Sequence, residues 1–389
     1  MYKKAALSIF MIILLAIAFA VTGDFTLVVR TPQNTPPDSR IFVAGNFNNW
    51  NPSDPNFELL KEGDAYVGSF QVNLDDPVSY KITRGSWETV EKGANGEEVS
   101  NRTALITSTN QSFMVEVANW RDMTDKPAEH TLTGNVITID HFPIPQLKTT
   151  RRVWIYFPPD YNTSNKKYPT LYLQDGQNVF DAVTSFAGEW HADETMDSLF
   201  NAGKCGGIII VAVDNAGSDR LNEYSPWKNA NYGGGKGNAY VDFLALSLKP
   251  YIDEHYRTLK DSRFTGVGGS SMGAFIAMYA ALRYPNVFGK VMAFSTAFWF
   301  DKFPMREQIK LTGAQPNMRI YFYVGTNEGD KTDLKQSYVR DSREIYQLLG
   351  ASGYAENNLK IVVTEGAQHN EAAWTKEFPD AIMWLYEDN

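Results

Sequence analysis

Ser271 stands between the glycines of Gly269-Ser-Ser-Met-Gly273, the pattern G-x-S-x-G. A serine hydroxyl is a weak nucleophile until a base takes its proton, and the base needs an acid to hold its tautomer. Downstream of Ser271 the sequence has a single histidine, His369, in Gly366-Ala-Gln-His369. Between the two, Gly325-Thr-Asn-Glu-Gly-Asp330 offers Glu328 as the acid, with Asp330, Asp333 and Asp301 as alternatives. Nucleophile, acid, base is a chain order in which such triads occur. Two N–H groups must also meet the charge that develops on a substrate carbonyl oxygen. One belongs to Met272, directly after the nucleophile. The second is expected from Gln174-Asp-Gly-Gln-Asn178, where Gly176 and Gln177 are candidates because glycine permits close backbone approach. Together these groups could perform acyl transfer, chemistry that calls for no metal and no cofactor.

The pattern carries meaning only at a turn from strand to helix, where the serine is exposed and a helix N-terminus lies behind it. The context fits: an apolar run over 264–268 precedes the serine, and Ala274-Phe-Ile-Ala-Met-Tyr-Ala-Ala-Leu282 follows it. Further strand candidates lie at 153–157, 170–173, 207–213, 291–295, 319–324 and 360–363. Helical stretches at 195–201, 240–254, 274–284 and 339–349 alternate with them. Several strands are continuously apolar, such as Ile208-Ile-Ile-Val-Ala-Val213, as burial on both faces requires. Residues 134–389 are therefore expected to form a mostly parallel sheet covered by helices on both faces.

Residues 24–120 read differently. Short strands at 25–30, 41–44, 65–72, 79–84 and 113–117 are separated by turn clusters such as Asn51-Pro-Ser-Asp-Pro55. This spacing predicts an all-β, immunoglobulin-like sandwich. The polar stretch 121–133, with Pro127, is assigned as linker.

A chain of 389 residues has room for two such domains. Its 43% hydrophobic and 21% charged content is that of globular proteins, and a net charge of −9 argues against a nucleic-acid partner. Lys3 and Lys4, the apolar run 5–21 and Ala18-Phe-Ala20 describe a secretory signal peptide over residues 1–23, cut near Ala20. The expected product is secreted or periplasmic, with no stable membrane anchor after cleavage. An uncleaved anchor helix is the competing reading, although the run is near the lower length limit for spanning. Cys205 is the single cysteine, so no intrachain disulfide can form. The loop Asn231-Tyr-Gly-Gly-Gly-Lys-Gly237 lacks the Ser or Thr that follows the lysine of a phosphate-binding loop, and is assigned to the rim of the site.

Residues 134–389 carry Tyr172-Leu-Gln-Asp-Gly-Gln-Asn178, Arg220 with Glu223-Tyr224, Pro250-Tyr-Ile-Asp-Glu-His-Tyr-Arg257, Gly269-Ser-Ser-Met-Gly273, Phe294-Ser295 with Trp299, and Gly366-Ala-Gln-His369. In these pieces the segment resembles the esterase family of α/β hydrolases that includes esterase D, feruloyl esterases and siderophore esterases. The resemblance implies an α/β-hydrolase fold, Ser271 as nucleophile and His369 as base. Its acid is more variable, so a Ser–His pair stands beside Glu328, Asp330 and Asp301. Arg220, Trp227 and Trp299 fall near the loops at the top of the sheet and are candidates for shaping the substrate pocket.

In the front segment, Ile41-Phe-Val-Ala-Gly-Asn-Phe-Asn-Asn-Trp-Asn-Pro52, Tyr80-Lys-Ile-Thr-Arg-Gly-Ser-Trp-Glu88 and Asn101-Arg102 resemble starch-binding domains. That resemblance implies a sugar platform of Trp50 and Trp87, assisted by Lys81 and Asn101. The segment from Thr89 to Ser100 is longer than such domains usually have at this point. If Trp50 and Trp87 were instead core residues, the front segment would merely brace the enzyme. The expected protein is a serine esterase acting on feruloyl or acetyl esters of a polysaccharide. Alternatives are a glycan-binding protein with a non-essential hydrolase domain, an acyltransferase and a siderophore-type esterase.

Overall fold

The computed structural model describes residues 22–48, 50–73, 78–94, 96, 99, 101–104, 106, 111–124, 130–185, 188–230, 232–329 and 332–387. The proposed leader up to residue 21 and the alternative acid Asp330 lie outside them. Among the described residues no helix is long and apolar enough to cross a membrane.

The front unit is built from β1 (Thr22–Arg30), β2 (Ile41–Gly45), β3 (Glu58–Glu62), β4 (Ala65–Asn73), β5 (Val78–Thr83), β6 (Arg102–Ala104) and β7 (Gln111–Glu116). They hydrogen-bond in the order β6-β5-β2-β3-β4-β1-β7. The first strand starts two residues earlier than the leader boundary at residue 23 predicts, because Thr22 and Gly23 pair with Asn73 and Val72. Alternation explains the strand: Phe25, Leu27 and Val29 are fully buried, while Thr26 and Val28 between them are only partly covered. The core closes on Trp120, whose Nε1 donates to Thr35 Oγ1 at 2.8 Å. Strand β3 carries no turn or alternation signal of its own. Its place comes from pairing on both sides, Ile41 with Leu59 and Leu60 with Val67.

The stretch assigned as linker is fastened down where it is described. Arg121 donates to the carbonyls of Ala182, Val183 and Ser185. His130 Nδ1 lies 2.6 Å from Asp181 Oδ2, and Thr131 Oγ1 donates to Glu189 Oε2 at 2.6 Å.

The second unit contains β8 (Asn135–Ile144), β9 (Thr149–Phe157), β10 (Thr170–Gln174), β11 (Ile209–Val213), β12 (Thr265–Ser270), β13 (Lys290–Phe294), β14 (Arg319–Asn327) and β15 (Leu359–Gln368). Their order is β8-β9-β11-β10-β12-β13-β14-β15; the β8–β9 and β9–β11 pairs are antiparallel and the rest parallel. Adjacent residues of one strand fall into opposite cores. Tyr172 joins a cluster with Phe243, Ile252, Phe275 and Ile345, while Leu171 and Leu173 join Met196, Leu199, Phe378 and Ile382. The sheet is thus buried on both faces, which is why its strands read as unbroken apolar runs.

One face is covered by α2 (Gly237–Phe243), α3 (Lys249–His255), α4 (Met272–Arg283), α5 (Lys302–Thr312) and α6 (Thr332–Ala351), and the other by α1 (Ala192–Asn201) and α7 (Glu371–Leu385). A π-helical segment, Leu244–Leu248, joins α2 to α3. Helices α5 and α7 have no counterpart among the predicted stretches. Pro304 and Pro379 punctuate them in sequence, yet Pro304 falls in a first turn, where a missing N–H costs nothing, and α7 continues through Pro379.

Candidate active site

The G-x-S-x-G segment forms the turn its pattern requires. β12 is buried throughout, α4 starts at Met272, and Ser271 between them has φ 55° and ψ −123°. A non-glycine residue held there costs on the order of 1–3 kcal/mol and persists only when its surroundings fix it. They do: Ser271 N donates to Phe294 O at 2.9 Å, while Ser271 O accepts from Phe275 N at 3.1 Å and Ala297 N at 3.2 Å. Gly273 is needed for space, since a Cβ there would lie 2.9 Å from Asp175 Oδ2 and 3.0 Å from Gln174 Cβ. The elbow is therefore pressed against the loop that follows β10.

That loop is held by a dense set of bonds. Asp175 has φ 59° and donates its N–H to Tyr224 Oη at 3.1 Å. Its carboxylate accepts from Arg220 Nε at 2.6 Å, Arg220 Nη2 at 2.8 Å and Asn215 Nδ2 at 2.7 Å. Gln174 Oε1 accepts from Tyr240 Oη, and Gln177 Oε1 accepts from Asn215 N at 3.1 Å. Gly176 packs on the end of β11, where a Cβ would come within 2.8 Å of Val213 C. Asn178 Nδ2 donates to Glu371 Oε1 at 3.3 Å.

Glu328, just past β14, is fully buried. Its Oε1 accepts from Ser295 Oγ at 2.5 Å and Gly325 N at 2.6 Å, and its Oε2 lies 3.1 Å from His369 Nδ1. Two bonds thus fix one oxygen while the other meets the imidazole. This leaves Nε2 as the acceptor nitrogen of His369. The ring is a quarter exposed and flanked by aromatics: Tyr338 at 4.8 Å between centroids, and Trp374 edge-on at 5.2 Å. Trp374 Nε1 donates to Ser295 Oγ at 2.8 Å, closing the network. Ser271, Glu328 and His369 all stand at carboxyl ends of neighbouring parallel strands, β12, β14 and β15, with Ser295 at the end of β13. Among the described residues no hydrogen bond joins Ser271 Oγ to His369, a bond that commonly tightens only with substrate.

Asp301 is placed elsewhere. It precedes α5, its Oδ2 is buried with no hydrogen-bond partner, and burial raises its pKa. Arg220 is engaged by Asp175, and its guanidinium lies over the Tyr224 ring. Trp227, partly buried, packs edge-on against the core residues Phe275 and Tyr279. Trp299 is 37% exposed and donates Nε1 to Tyr338 Oη at 2.8 Å, which places it one ring away from His369. Ser295, Tyr338 and Trp374 escaped selection from sequence. The Phe294-Ser295 and Gly366–Trp374 segments were visible, but nothing in sequence showed that their side chains converge.

In the front unit, Trp50 and Trp87 are partly exposed, with ring centroids 6.5 Å apart at 36°. Neither belongs to the hydrophobic core, so the bracing role that core residues would imply is not theirs. Lys81 is 3% exposed and Asn101 is exposed, directly before β6. For a metal, Glu189, His191 and Glu194 bring ligand atoms within 4.8 Å of one another, an arrangement that acidic surface groups also adopt without one.

Residues 144–385 match the Esterase family, described as Putative esterase. The Bacillus subtilis (strain 168) protein YbbA is 28% identical over 247 residues, which is 61% of this chain and 94% of that protein. Alpha-amylase of Niallia circulans is 37% identical over 99 residues, a quarter of this chain and 8% of that enzyme. The crystal structure of enterochelin esterase from Shigella flexneri superposes with a TM-score of 0.53 at 16% identity, covering 93% of this chain and 92% of that one, a likeness of fold. The family match runs from the end of β8 to the end of α7 and takes in the elbow, the buried Glu328 and His369: the chain belongs to the Esterase family and is a carboxylic ester hydrolase.

Proposed function

We propose that the protein is an exported serine esterase that removes acyl groups, feruloyl or acetyl, from a carbohydrate through an acyl-enzyme. The carrying observation is the Glu328–His369 contact beside the Ser271 elbow, with the carboxylate fixed by Ser295 and Gly325. In this reading Ser271 Oγ attacks the ester carbonyl and passes its proton to His369 Nε2. Glu328 holds the Nδ1–H tautomer and stabilises the imidazolium. The oxyanion is met by the N–H of Met272, at the first turn of α4, and by a second N–H from Gly176 or Gln177. His369 then protonates the departing alcohol, and water repeats the sequence to release the acid.

Carbohydrate as the leaving side is supported by the front unit. The stretch matched in the amylase has the length of this unit, and the two partly exposed tryptophans offer ring faces to sugar C–H groups. We read the unit as an immunoglobulin-like sandwich of starch-binding type. Export is supported by Lys3, Lys4 and the apolar run that follows. A siderophore ester is the second reading, favoured by the enterochelin esterase likeness over both units.

The test compares wild type with Ser271→Ala on p-nitrophenyl acetate, methyl ferulate, acetylated xylan and a catecholate trilactone. Loss of kcat by about 10³-fold or more on every cleaved ester is expected. Equal rates for the two proteins would remove the serine mechanism. A trilactone preferred over every carbohydrate ester would move the assignment to the second reading.

A further inference from the structure

We propose that Arg121 is a positioning residue for the ester reaction. Held by the front unit, it gathers the carbonyls of Ala182, Val183 and Ser185, and the turn so fixed sets Thr184 against the backbone of Gln177, one of the two residues read above as the second oxyanion donor. The proposal rests on the serine-esterase reading and gives the front unit a task in the chemistry that needs no sugar.

Arg121 follows directly on the core of the front unit. Its neighbour Trp120 is fully buried there, and Arg121 N donates to the carbonyl of buried Val90 at 2.9 Å. The backbone of Arg121 thus belongs to the front unit, while its side chain bonds to the hydrolase. Nη1 donates to Ser185 O, and Nη2 donates to Val183 O and, at 3.1 Å, to Ala182 O. Three carbonyl oxygens drawn to one point repel one another unless a cation sits among them. A guanidinium supplies that charge at every working pH, with donors enough for all three.

The turn that carries these carbonyls closes on Asp181. Asp181 O accepts from Thr184 N at 3.2 Å and Ser185 N at 3.1 Å, and Asp181 Oδ1 accepts from Val183 N at 3.0 Å. From this turn Thr184 Oγ1 donates to Gln177 O at 2.7 Å, with Asp181 O a longer second acceptor at 3.2 Å. Gln177 is held again through its side chain, whose Oε1 accepts from Asn215 N at 3.1 Å, just past β11. Gln177 is therefore pinned twice, and one of the two pins is fastened to the front unit by Arg121. An oxyanion donor works only within about 0.5 Å of its productive place. A turn released by loss of the guanidinium should therefore cost rate and leave substrate affinity alone.

The experiment uses the full chain as wild type, Arg121→Ala, Arg121→Lys, Thr184→Val and the double variant Arg121→Ala with Thr184→Val. Each is assayed on p-nitrophenyl acetate and titrated with an aryl trifluoromethyl ketone, whose adduct with Ser271 carries an oxyanion. Expected for each single loss is kcat lowered about tenfold, KM within about twofold of wild type, and the ketone bound about tenfold more weakly. Arg121→Lys should fall between wild type and Arg121→Ala, and the double variant should stay within about twofold of the worse single one, since both act through one turn. A smaller folded fraction would lower kcat but leave the ketone affinity unchanged, and that result overturns the proposal. So does Arg121→Ala with kcat within about twofold of wild type, or losses that multiply in the double variant. If Arg121→Ala does not fold, Arg121→Lys and its pairing with Thr184→Val give the same readings. Ser271→Ala as active as wild type removes the serine reading and this proposal with it, whereas Ser271-dependent turnover indifferent to Arg121 removes the proposal alone.

Discussion

Two tryptophan pairs in this molecule have nearly the same geometry and opposite surroundings. Trp190 and Trp374 lie 6.0 Å apart at 43°, each 4% exposed; Trp50 and Trp87 lie 6.5 Å apart at 36°, each partly open to solvent. In the hydrolase pair Trp190 packs on Phe294 and Phe378, and Trp374 spends its N–H on Ser295. Trp374 also stands edge-on to the His369 ring. In the front pair Trp50 has φ 58°, an uncommon conformation for a bulky residue. Ring spacing alone does not separate a buried pair from a partly exposed one. The separation here is in how much of each ring is covered.

This contrast can be broken by substitution, beginning with the site beside the buried pair. Glu328→Gln keeps the shape but removes the charge facing His369, and kcat on p-nitrophenyl acetate should fall on the order of 10³–10⁴-fold with KM little changed. A drop below tenfold would mean that the bracketed carboxylate is not used.

Next in size is a pH effect at the seam between the two regions. Burial raises the Glu371 pKa from 4.5 to about 7, Asp175 raises it further, and Lys81 and Arg220 oppose. Below pH 4.5 the group is protonated whether the chain is folded or not, and it contributes nothing. Above pH 7 the folded protein holds a buried anion, at a cost of about 3 kcal/mol. Glu371→Gln should therefore match wild type near pH 4.5 and gain stability over it as pH rises through 7. Denaturant midpoints at pH 4.5, 6 and 8 read this directly, and a difference that does not grow with pH rejects the assignment.

The two pairs themselves should then diverge. Trp374→Phe removes the donor to Ser295 Oγ in a closed site and should destabilise by about 1–3 kcal/mol. Trp87→Phe, on the open pair, should stay within about 0.5 kcal/mol. Equal losses in urea unfolding would erase the distinction between the buried pair and the partly exposed one.

Much of the hydrolase was legible in sequence because its signals are local. A glycine-flanked serine after an apolar run, and a histidine unique to the downstream chain, need no tertiary knowledge to be found. Glu328 could be named from its loop but not separated from Asp301, since only the fold brings Ser295, Gly325 and His369 around one carboxylate. Arg220 could be named from its loop, but its pairing with Asp175 is made only by the fold. Strand β3 and helices α5 and α7 were missed where tertiary pairing outweighs weak or contrary local preference. Lys81 was named as a sugar contact from resemblance alone; that its side chain is buried could not be seen in a one-dimensional pattern.

The order of strands also sets an order in time. The front core is complete in chain terms at Trp120, whereas Ser271, Glu328 and His369 leave the ribosome one after another in the last third of the sequence. A growing chain can thus carry a folded front unit and the Ser271 segment before His369 has been made. Nascent chains arrested at successive lengths should gain resistance to proteolysis soon after the first unit emerges, and gain turnover in a single step only once β15 and α7 have been released.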